Sequence, residues 1–186
     1  MQIGGFQKTS LLDYPDTISA IIWTVGCNFN CPFCYNPQLV KKTKNTISEE
    51  EVLSFLKKRK GLLEGVSISG GEPFLQKDIA DFIKKVKKFG YLVKIDTNGT
   101  FPDRLKELIE KKLVDYVSMD VKAPKEKYGQ LTGVKTDIKK IEISIDIIKK
   151  IAPDYEFKTT FVPELLTKED IAVSYTHLTL PTTPYV

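Results

Sequence analysis

The chain has 186 residues, among them 28 Lys and Arg against 24 Asp and Glu, which gives a formal net charge of +4. A composition of 41% hydrophobic and 28% charged residues excludes a mostly disordered or collagen-like chain and is typical of one packed domain. No apolar run reaches the roughly 20 residues of a membrane span, and the first residues lack the features of a secretion signal. Arg59 and Arg104 are the only arginines, which disfavours a nucleic-acid surface. We therefore expect a cytoplasmic protein with neither a membrane nor a nucleic acid as partner.

Short apolar runs alternate with amphipathic stretches along the chain. The first run, residues 18–25, is rich in β-branched residues and is typical of a buried strand. Ser48 and Glu51 match a capping box at the start of a helix, and apolar residues at helical spacing indicate another helix over residues 78–89. In chain order, we predict strands over residues 18–25, 66–69, 91–96, 114–121 and 155–162, and helices over residues 48–60, 78–89, 103–112 and 137–150.

This alternation predicts the fold class. Strands joined by crossover helices at this spacing form a parallel α/β sheet. Five strand–helix units are too few for a closed eight-fold barrel. We therefore expect one open α/β domain.

The last part of the chain differs in composition from the rest. Residues 171–186 contain no charged side chain and have neither helical nor clean strand periodicity. They interrupt a pattern typical of a helix start at residues 167–170. We predict one domain over residues 1–170 and a non-native or irregular tail over residues 171–186, with a genuine polar tail as the alternative. His177, the only histidine, lies in this tail, so we assign no chemistry to it.

Polar and glycine-rich motifs follow the first four predicted strands. They are the cysteine loop over residues 27–34, Gly70-Gly71-Glu72-Pro73, Asp96-Thr97-Asn98-Gly99, and Asp120-Val121-Lys122. In parallel α/β folds, function gathers on the loops that follow the carboxyl ends of the strands. We therefore expect these four loops to meet at one edge of the sheet and to form the functional site there.

All three cysteines, Cys27, Cys31 and Cys34, lie in one short loop. Thiolate sulfur is a soft ligand for zinc, copper(I) or iron–sulfur clusters, and the Cys-x₃-Cys-x₂-Cys spacing lets one loop surround a metal centre. A structural zinc site needs four protein ligands, and this sequence offers no credible fourth. A four-iron cluster held by three thiolates leaves one iron open to a small molecule. The alternative is three reduced core thiols, against which the polar residues Asn28 and Asn30 argue.

These motifs resemble those of a known family. The segment Cys27-Asn28-Phe29-Asn30-Cys31-Pro32-Phe33-Cys34 resembles the signature loop of the radical S-adenosylmethionine (SAM) enzymes, and Gly70-Gly71-Glu72-Pro73 is similar to their motif for the SAM amino group. Residues 10–15, 35–37 and 120–124 resemble the glycyl-radical-enzyme activases, most nearly the activating proteins of anaerobic ribonucleoside-triphosphate reductase. The resemblance covers residues 1–170. Full barrels of this family have more strand–helix units than this sequence offers, so it implies a partial (β/α) barrel that is truncated at the carboxyl terminus.

The resemblance implies a [4Fe–4S] cluster and SAM as cofactors. Cys27, Cys31 and Cys34 would each bind one iron, and the amine and carboxylate of the SAM methionyl group would bind the fourth. Phe33, the aromatic residue before the last cysteine, would lie against the adenine of SAM, or else pack into the core.

The glycine-rich motif would hold the methionyl end of SAM. Gly70 and Gly71 would allow close backbone approach, which a Cβ would obstruct. Glu72 would accept hydrogen bonds in that pocket, and Pro73 would stiffen the turn. An ordinary turn at the end of a strand is the alternative for both glycines.

Two aspartates at the ends of neighbouring strands are a further candidate site. Asp96 and Asp120 should lie close together, and a close pair of carboxylates favours a shared proton or a cation. The resemblance implies that these aspartates and Thr97 help to hold a monovalent cation beside SAM, and that Lys122 lies near the SAM carboxylate. Solvated carboxylates at the strand ends are the alternative.

The resemblance also implies a reaction and its partners. A reduced cluster gives one electron to the sulfonium of SAM, which yields methionine and a 5′-deoxyadenosyl radical. In an activase, this radical takes a hydrogen atom from a glycine of a glycyl radical enzyme, here expected to be anaerobic ribonucleoside-triphosphate reductase, and a flavodoxin or ferredoxin-type protein donates the electron. Two alternatives stay open. One is a radical SAM enzyme that acts on a small molecule, for example one resembling the deazaguanine-forming synthases, and the other is a non-catalytic metal-binding or electron-carrier module.

Overall fold

The computed structural model describes residues 1–41 and 46–177, with side chains through residue 172. Within these residues, six strands form one sheet: β1 (Ile3–Ser10), β2 (Ser19–Thr24), β3 (Gly65–Gly70), β4 (Leu92–Thr97), β5 (Tyr116–Asp120) and β6 (Tyr155–Lys158). The strands follow chain order across the sheet. Strand β1 pairs with β2 in antiparallel orientation, and all later neighbours are parallel.

Helices connect the parallel strands. They are α1 (Pro37–Val40), α2 (Glu49–Lys58), α3 (Ile79–Lys88), α4 (Pro102–Glu110), α5 (Tyr128–Thr132), α6 (Ile138–Ile151) and α7 (Lys168–His177). Because each parallel strand is followed by a helical crossover to its neighbour, the structure confirms the predicted α/β partial barrel. No helix in the described part of the chain is long and apolar enough to cross a membrane.

The two faces of the sheet differ in chemistry, because side chains alternate along each strand. Val66 and Ile68 of β3 and Val93 and Ile95 of β4 are fully buried in the hydrophobic core that the helices cover. The opposite face carries polar side chains on four neighbouring strands, namely Ser67, Ser69, Lys94, Asp96, Ser118, Asp120, Glu156 and Lys158. The hydrophobic core therefore lies between the sheet and the helices, and the polar face leads to the cavity described below.

Helices α2 and α3 form where the sequence predicts them. Helix α2 begins after Ser48, whose hydroxyl accepts a hydrogen bond from the Glu51 backbone N–H at 3.0 Å. Helix α3 buries an apolar stripe of four residues that are at most 1% exposed, Ile79, Phe82, Ile83 and Val86. Full burial of such a side chain contributes about 1.5–3 kcal/mol, so this stripe fixes the helix against the sheet.

Four elements differ from the sequence-based prediction. The short helix α1 lies just after the cysteine loop, in a stretch for which no helix is predicted. Strand β1 is not predicted because its residues, which include Gly4 and Gly5, lack a β-branched run. Helix α5 lies in a stretch that the sequence pattern assigns to a loop. Helix α7 begins after Thr167 as predicted but continues past residue 170 to His177. Residues 178–186 lie outside the described residues, so the boundary between a 1–170 domain and a tail stays a prediction.

Candidate active site

A cavity of about 210 Å³ opens at the carboxyl ends of the parallel strands. Ten of the twelve residues predicted for the site line it: Cys27, Cys31, Phe33, Cys34, Gly70, Gly71, Asp96, Thr97, Asp120 and Lys122. The remaining two, Glu72 and Pro73, are buried behind its wall. The four loops that follow β2, β3, β4 and β5 therefore meet at one edge of the sheet.

The cysteine loop is held in place by backbone hydrogen bonds to its surroundings. At its start, the Gly26 N–H donates to the Leu39 carbonyl at 2.6 Å, and in its middle, the Asn30 N–H donates to the Thr132 carbonyl of α5 at 2.8 Å. The Phe29 N–H donates to the Cys27 Sγ at 3.4 Å. The loop is thus anchored to α1 on one side and to α5 on the other.

The three thiols are partly buried and lie close enough to influence one another. The pKa of the Cys27 thiol is raised to about 11, mainly by burial and in smaller part by the nearby Glu72 carboxylate and the other two cysteines, while the hydrogen bond from the Phe29 N–H opposes the shift. Burial also raises the pKa of Cys31, although the Lys122 ammonium opposes this effect. Ionised sulfur at these positions therefore needs a cationic partner, and a metal centre supplies one.

The loop after β3 approaches the cysteine loop too closely for side chains. A Cβ on Gly70 would lie 2.2 Å from the Thr24 backbone N, and Gly70 has a φ of +121°, which other residues rarely adopt. A Cβ on Gly71 would lie 2.0 Å from the Gly26 carbonyl oxygen. Both glycines are required by the backbone packing, and their backbone also lines the cavity.

Glu72 connects loops instead of lining the cavity. Its carboxylate is fully buried and accepts hydrogen bonds from the Phe74 N–H at 3.1 Å, the Thr97 hydroxyl at 2.9 Å and the Asn98 N–H at 2.8 Å. Burial raises the pKa of this carboxyl to about 7, although the three donors favour its charged form. Pro73 begins a short 3₁₀ turn through Leu75, as expected for a residue that stiffens the turn.

Each aspartate at the cavity has its own lysine. The Lys94 ammonium, with a side chain only 1% exposed, lies 2.6 Å from the Asp96 carboxylate. The Lys122 ammonium lies 3.0 Å from the Asp120 carboxylate. Burial alone would lower the pKa of Lys122, but this ion pair raises it above its ordinary value. The sequence suggests a monovalent cation to balance the two carboxylates, and in the structure the two lysines supply positive charge beside them. The cation itself stays a prediction.

Sequence reasoning assigned no role to several side chains around the cavity. Ser69, Tyr35 and Thr160 line it, and the buried Asn98 both lines it and connects its loops. Asn98 belongs to the predicted strand-end motif Asp96-Thr97-Asn98-Gly99, but the sequence did not indicate what its side chain contacts. Lys94 could not be found in this way, because its burial within β4 depends on partners from other strands.

Comparison with known protein families identifies the class of protein. The family model of the Radical SAM superfamily matches residues 21–174, which include the cysteine loop and all four strand-end loops. The chain therefore belongs to the radical SAM superfamily, whose members use a [4Fe–4S] cluster and SAM. This membership confirms the family that the sequence motifs predict.

Two relatives from Methanocaldococcus jannaschii are more specific. One, named as a proposed glycyl-radical enzyme activating enzyme, is 39% identical over 177 residues, which are 91% of this chain and 72% of the relative. A second of the same description is 31% identical over 175 residues, 90% of this chain and 65% of the relative. Among solved structures, TYW1 with a bound lysine-pyruvate adduct shares the fold with a TM-score of 0.62, at 21% identity over 87% of this chain and 60% of that chain. The chain thus spans 60% to 72% of the length of these proteins.

The donor set at the cavity fits the cofactors of the family. In the described residues, no three His, Cys, Asp or Glu side chains converge on a single metal ion. A four-iron cluster takes one thiolate per iron, so it does not require the sulfur atoms to converge on one point. The three partly exposed thiols line the same cavity as the backbone of Gly70 and Gly71.

Proposed function

We propose that this chain is a glycyl-radical-enzyme activase that acts on anaerobic ribonucleoside-triphosphate reductase. The observation that carries the proposal is the convergence of three thiols and a glycine backbone on one cavity in a chain 39% identical to a proposed activating enzyme. In an activase, a peptide-bound glycine must reach the reacting atoms in this cavity.

Each predicted residue has a distinct task in this proposal. Cys27, Cys31 and Cys34 would hold the cluster, which would supply the one electron that cleaves SAM into methionine and the 5′-deoxyadenosyl radical; this radical would take a hydrogen atom from the glycine. The backbone of Gly70 and Gly71, which lines the cavity, receives the methionyl group of SAM.

The charged and aromatic residues of the cavity orient SAM. Lys122 binds the SAM carboxylate while Asp120 keeps the lysine charged. Phe33 covers the adenine, and Thr97 with Asp96 supports the ribose side of the cavity, with or without a monovalent cation. Glu72 acts on SAM indirectly, because its hydrogen bonds fix the loop that carries Thr97.

The first experiment tests the enzyme. The full chain is purified without oxygen, reconstituted with iron and sulfide, and mixed with SAM and dithionite. We expect a brown protein that releases 5′-deoxyadenosine, and we expect Cys31→Ala to lose both properties. Asn30→Ala is the matched control, because it changes the same loop and Asn30 has no hydrogen bond through its side chain in the described structure. A colourless zinc protein, or SAM cleavage retained by Cys31→Ala, would contradict the site.

The second experiment tests the partner. The reconstituted chain is incubated with SAM and the large subunit of anaerobic ribonucleoside-triphosphate reductase from the same organism. Electron paramagnetic resonance (EPR) should detect a glycyl radical on that subunit, and none when its radical-bearing glycine is replaced by alanine. SAM cleavage without a glycyl radical would favour the small-molecule alternative. The electron donor is tested by replacing dithionite with a reduced flavodoxin or a reduced ferredoxin-type protein.

The cytoplasmic location of the chain stays a prediction.

A further inference from the structure

Three side chains next to the cysteine loop form a closed ring of hydrogen bonds. The Asn98 amide Nδ2 donates to Asn28 Oδ1 at 2.8 Å, the Asn28 Nδ2 donates to Thr100 Oγ1 at 2.9 Å, and the Thr100 hydroxyl donates to Asn98 Oδ1 at 2.7 Å. Each of the three side chains therefore both donates and accepts within the ring. Such a ring fixes the orientation of both amides, because flipping either one would place two donors or two acceptors against each other.

The ring is anchored to the interior of the domain through Asn98. This residue is 6% exposed, and its backbone N–H donates to the buried Glu72 carboxylate at 2.8 Å. The neighbouring Gly99 carbonyl accepts a hydrogen bond from Ser144 of α6 at 2.7 Å. The loop after β3 and helix α6 therefore fix the backbone at Asn98, independently of its contact with the cysteine loop.

The opposite side of the ring lies beside a cysteine. Asn28 is exposed and directly follows Cys27, and the next backbone N–H, that of Phe29, donates to the Cys27 Sγ at 3.4 Å. The ring therefore holds Asn28, the middle residue of the segment 27–29. This segment contains both the Cys27 sulfur and the Phe29 N–H that donates to it. Hydrogen bonds to cysteine sulfur set the reduction potential of iron–sulfur clusters, and outer partners orient the ligands.

We propose that Asn98 is a positioning residue for the cluster. Through Asn28 it fixes the backbone of residues 27–29 and thereby the hydrogen bond from Phe29 to the Cys27 sulfur. The proposal rests on the proposed function only in that Cys27 binds an iron of the cluster. It goes beyond that function, because it assigns control of the cluster potential to a residue that binds neither iron nor SAM.

The test compares Asn98→Ala with Asn98→Asp in the reconstituted full chain. The alanine opens the ring, whereas the aspartate keeps an acceptor for Thr100 but cannot donate to Asn28. All three cysteines remain, so iron per chain should stay at the wild-type value. The midpoint potential of the cluster, from a redox titration followed by EPR, should shift to more negative values in both variants, because the sulfur loses a well-positioned donor; in Asn98→Asp the added negative charge acts in the same direction, so Asn98→Ala reports the loss of the donor alone.

Two further variants separate positioning from a general loss of stability. Asn30→Ala lies in the same loop and should leave the potential unchanged. Asn28→Ala should shift the midpoint potential by the same amount as Asn98→Ala. The double variant should shift it no further, because each single variant already opens the same ring. If Asn98→Ala fails to fold, Asn28→Ala decides the question, since Asn28 is exposed and its loss leaves the hydrogen bond from the Asn98 backbone N–H to Glu72 in place.

The results have separate meanings for the two proposals. The positioning role is overturned if the midpoint potential of the cluster is unchanged in Asn28→Ala. It is also overturned if the potential of the double variant shifts by the sum of the two single shifts. A wild-type chain that binds no cluster contradicts the site itself, and this is seen before any variant is compared. A wild-type chain that binds the cluster without cleaving SAM contradicts the proposed function and leaves the test of Asn98 intact.

Discussion

The contact between Gly71 and the cysteine loop gives the sharpest prediction for a single substitution. In Gly71→Ala, the new Cβ would lie 2.0 Å from the Gly26 carbonyl oxygen and 2.6 Å from its carbon. Both are backbone atoms, so no side-chain rotation can relieve the clash. An ordinary contact is at least 3.4 Å, and the two loops must therefore separate by about 1.4 Å.

The separation has a calculable cost. Overpacking of this kind costs about 1–3 kcal/mol. The Gly26 carbonyl also accepts a hydrogen bond from the Glu72 N–H at 2.8 Å, and stretching that bond costs about 1 kcal/mol more. A central value of about 3 kcal/mol corresponds to a fall of roughly 6–12 °C in the melting temperature for a chain of this length.

The assay is thermal and urea unfolding of the chain without iron, followed by iron binding. Gly71→Ala should unfold about 3 kcal/mol more easily and retain less iron, because Cys27 moves with Gly26. Gly129→Ala is the matched control, because its Cβ would meet only the Val134 carbonyl at 3.5 Å and alanine is the better helix former. Wild-type stability together with full iron binding in Gly71→Ala would refute the reasoning.

Three further predictions concern single side chains. The pKa of Glu72 is raised to about 7, so the folded chain holds this proton more tightly than the unfolded chain, and stability should fall as the pH rises from about 4.5 to about 7. Urea curves of Glu72→Gln should lack this fall; an unchanged slope would contradict the raised pKa. Ser48→Ala removes a helix cap and should cost about 1 kcal/mol in urea unfolding, whereas the exposed Ser54→Ala should cost nothing, and equal effects would argue against the cap. Lys122→Met should weaken SAM binding to the reconstituted chain by at least about tenfold in equilibrium dialysis, and Lys125→Met should not; equal binding would remove Lys122 from the site.

Most of the fold could be predicted because local patterns and packing agree. The stripe of α3 and the cap at Ser48 specify their helices without help from distant residues. Strand β2 carries a β-branched run, and β3, β4 and β5 alternate apolar residues that face the core with polar ones on the other face. Strand β1 could not be predicted, because Gly4 and Gly5 form a strand only through pairing with β2. Its position depends on tertiary contacts that no local pattern records.

The site was predictable as a set of loops but not as a set of contacts. Parallel topology places every strand end at one edge, so the cysteines and Gly70-Gly71 had to meet there. The part played by Glu72 could not be predicted, because a carboxylate in a glycine-rich motif is compatible with facing either the cavity or the interior. Its three hydrogen bonds to residues 74, 97 and 98 decide for the interior.

The polar face of the sheet is electrically balanced near the cavity. In the part of the chain that the structure describes, four ion pairs lie along it: Lys94 with Asp96 at 2.6 Å and with Glu156 at 3.7 Å, Lys122 with Asp120 at 3.0 Å, and Lys158 with Glu156 at 2.9 Å. A small polyanion such as a nucleoside triphosphate gains most from cations that have no carboxylate partner. Each of these three lysines has a carboxylate partner, so the ion pairs weaken the attraction of this face for a polyanion.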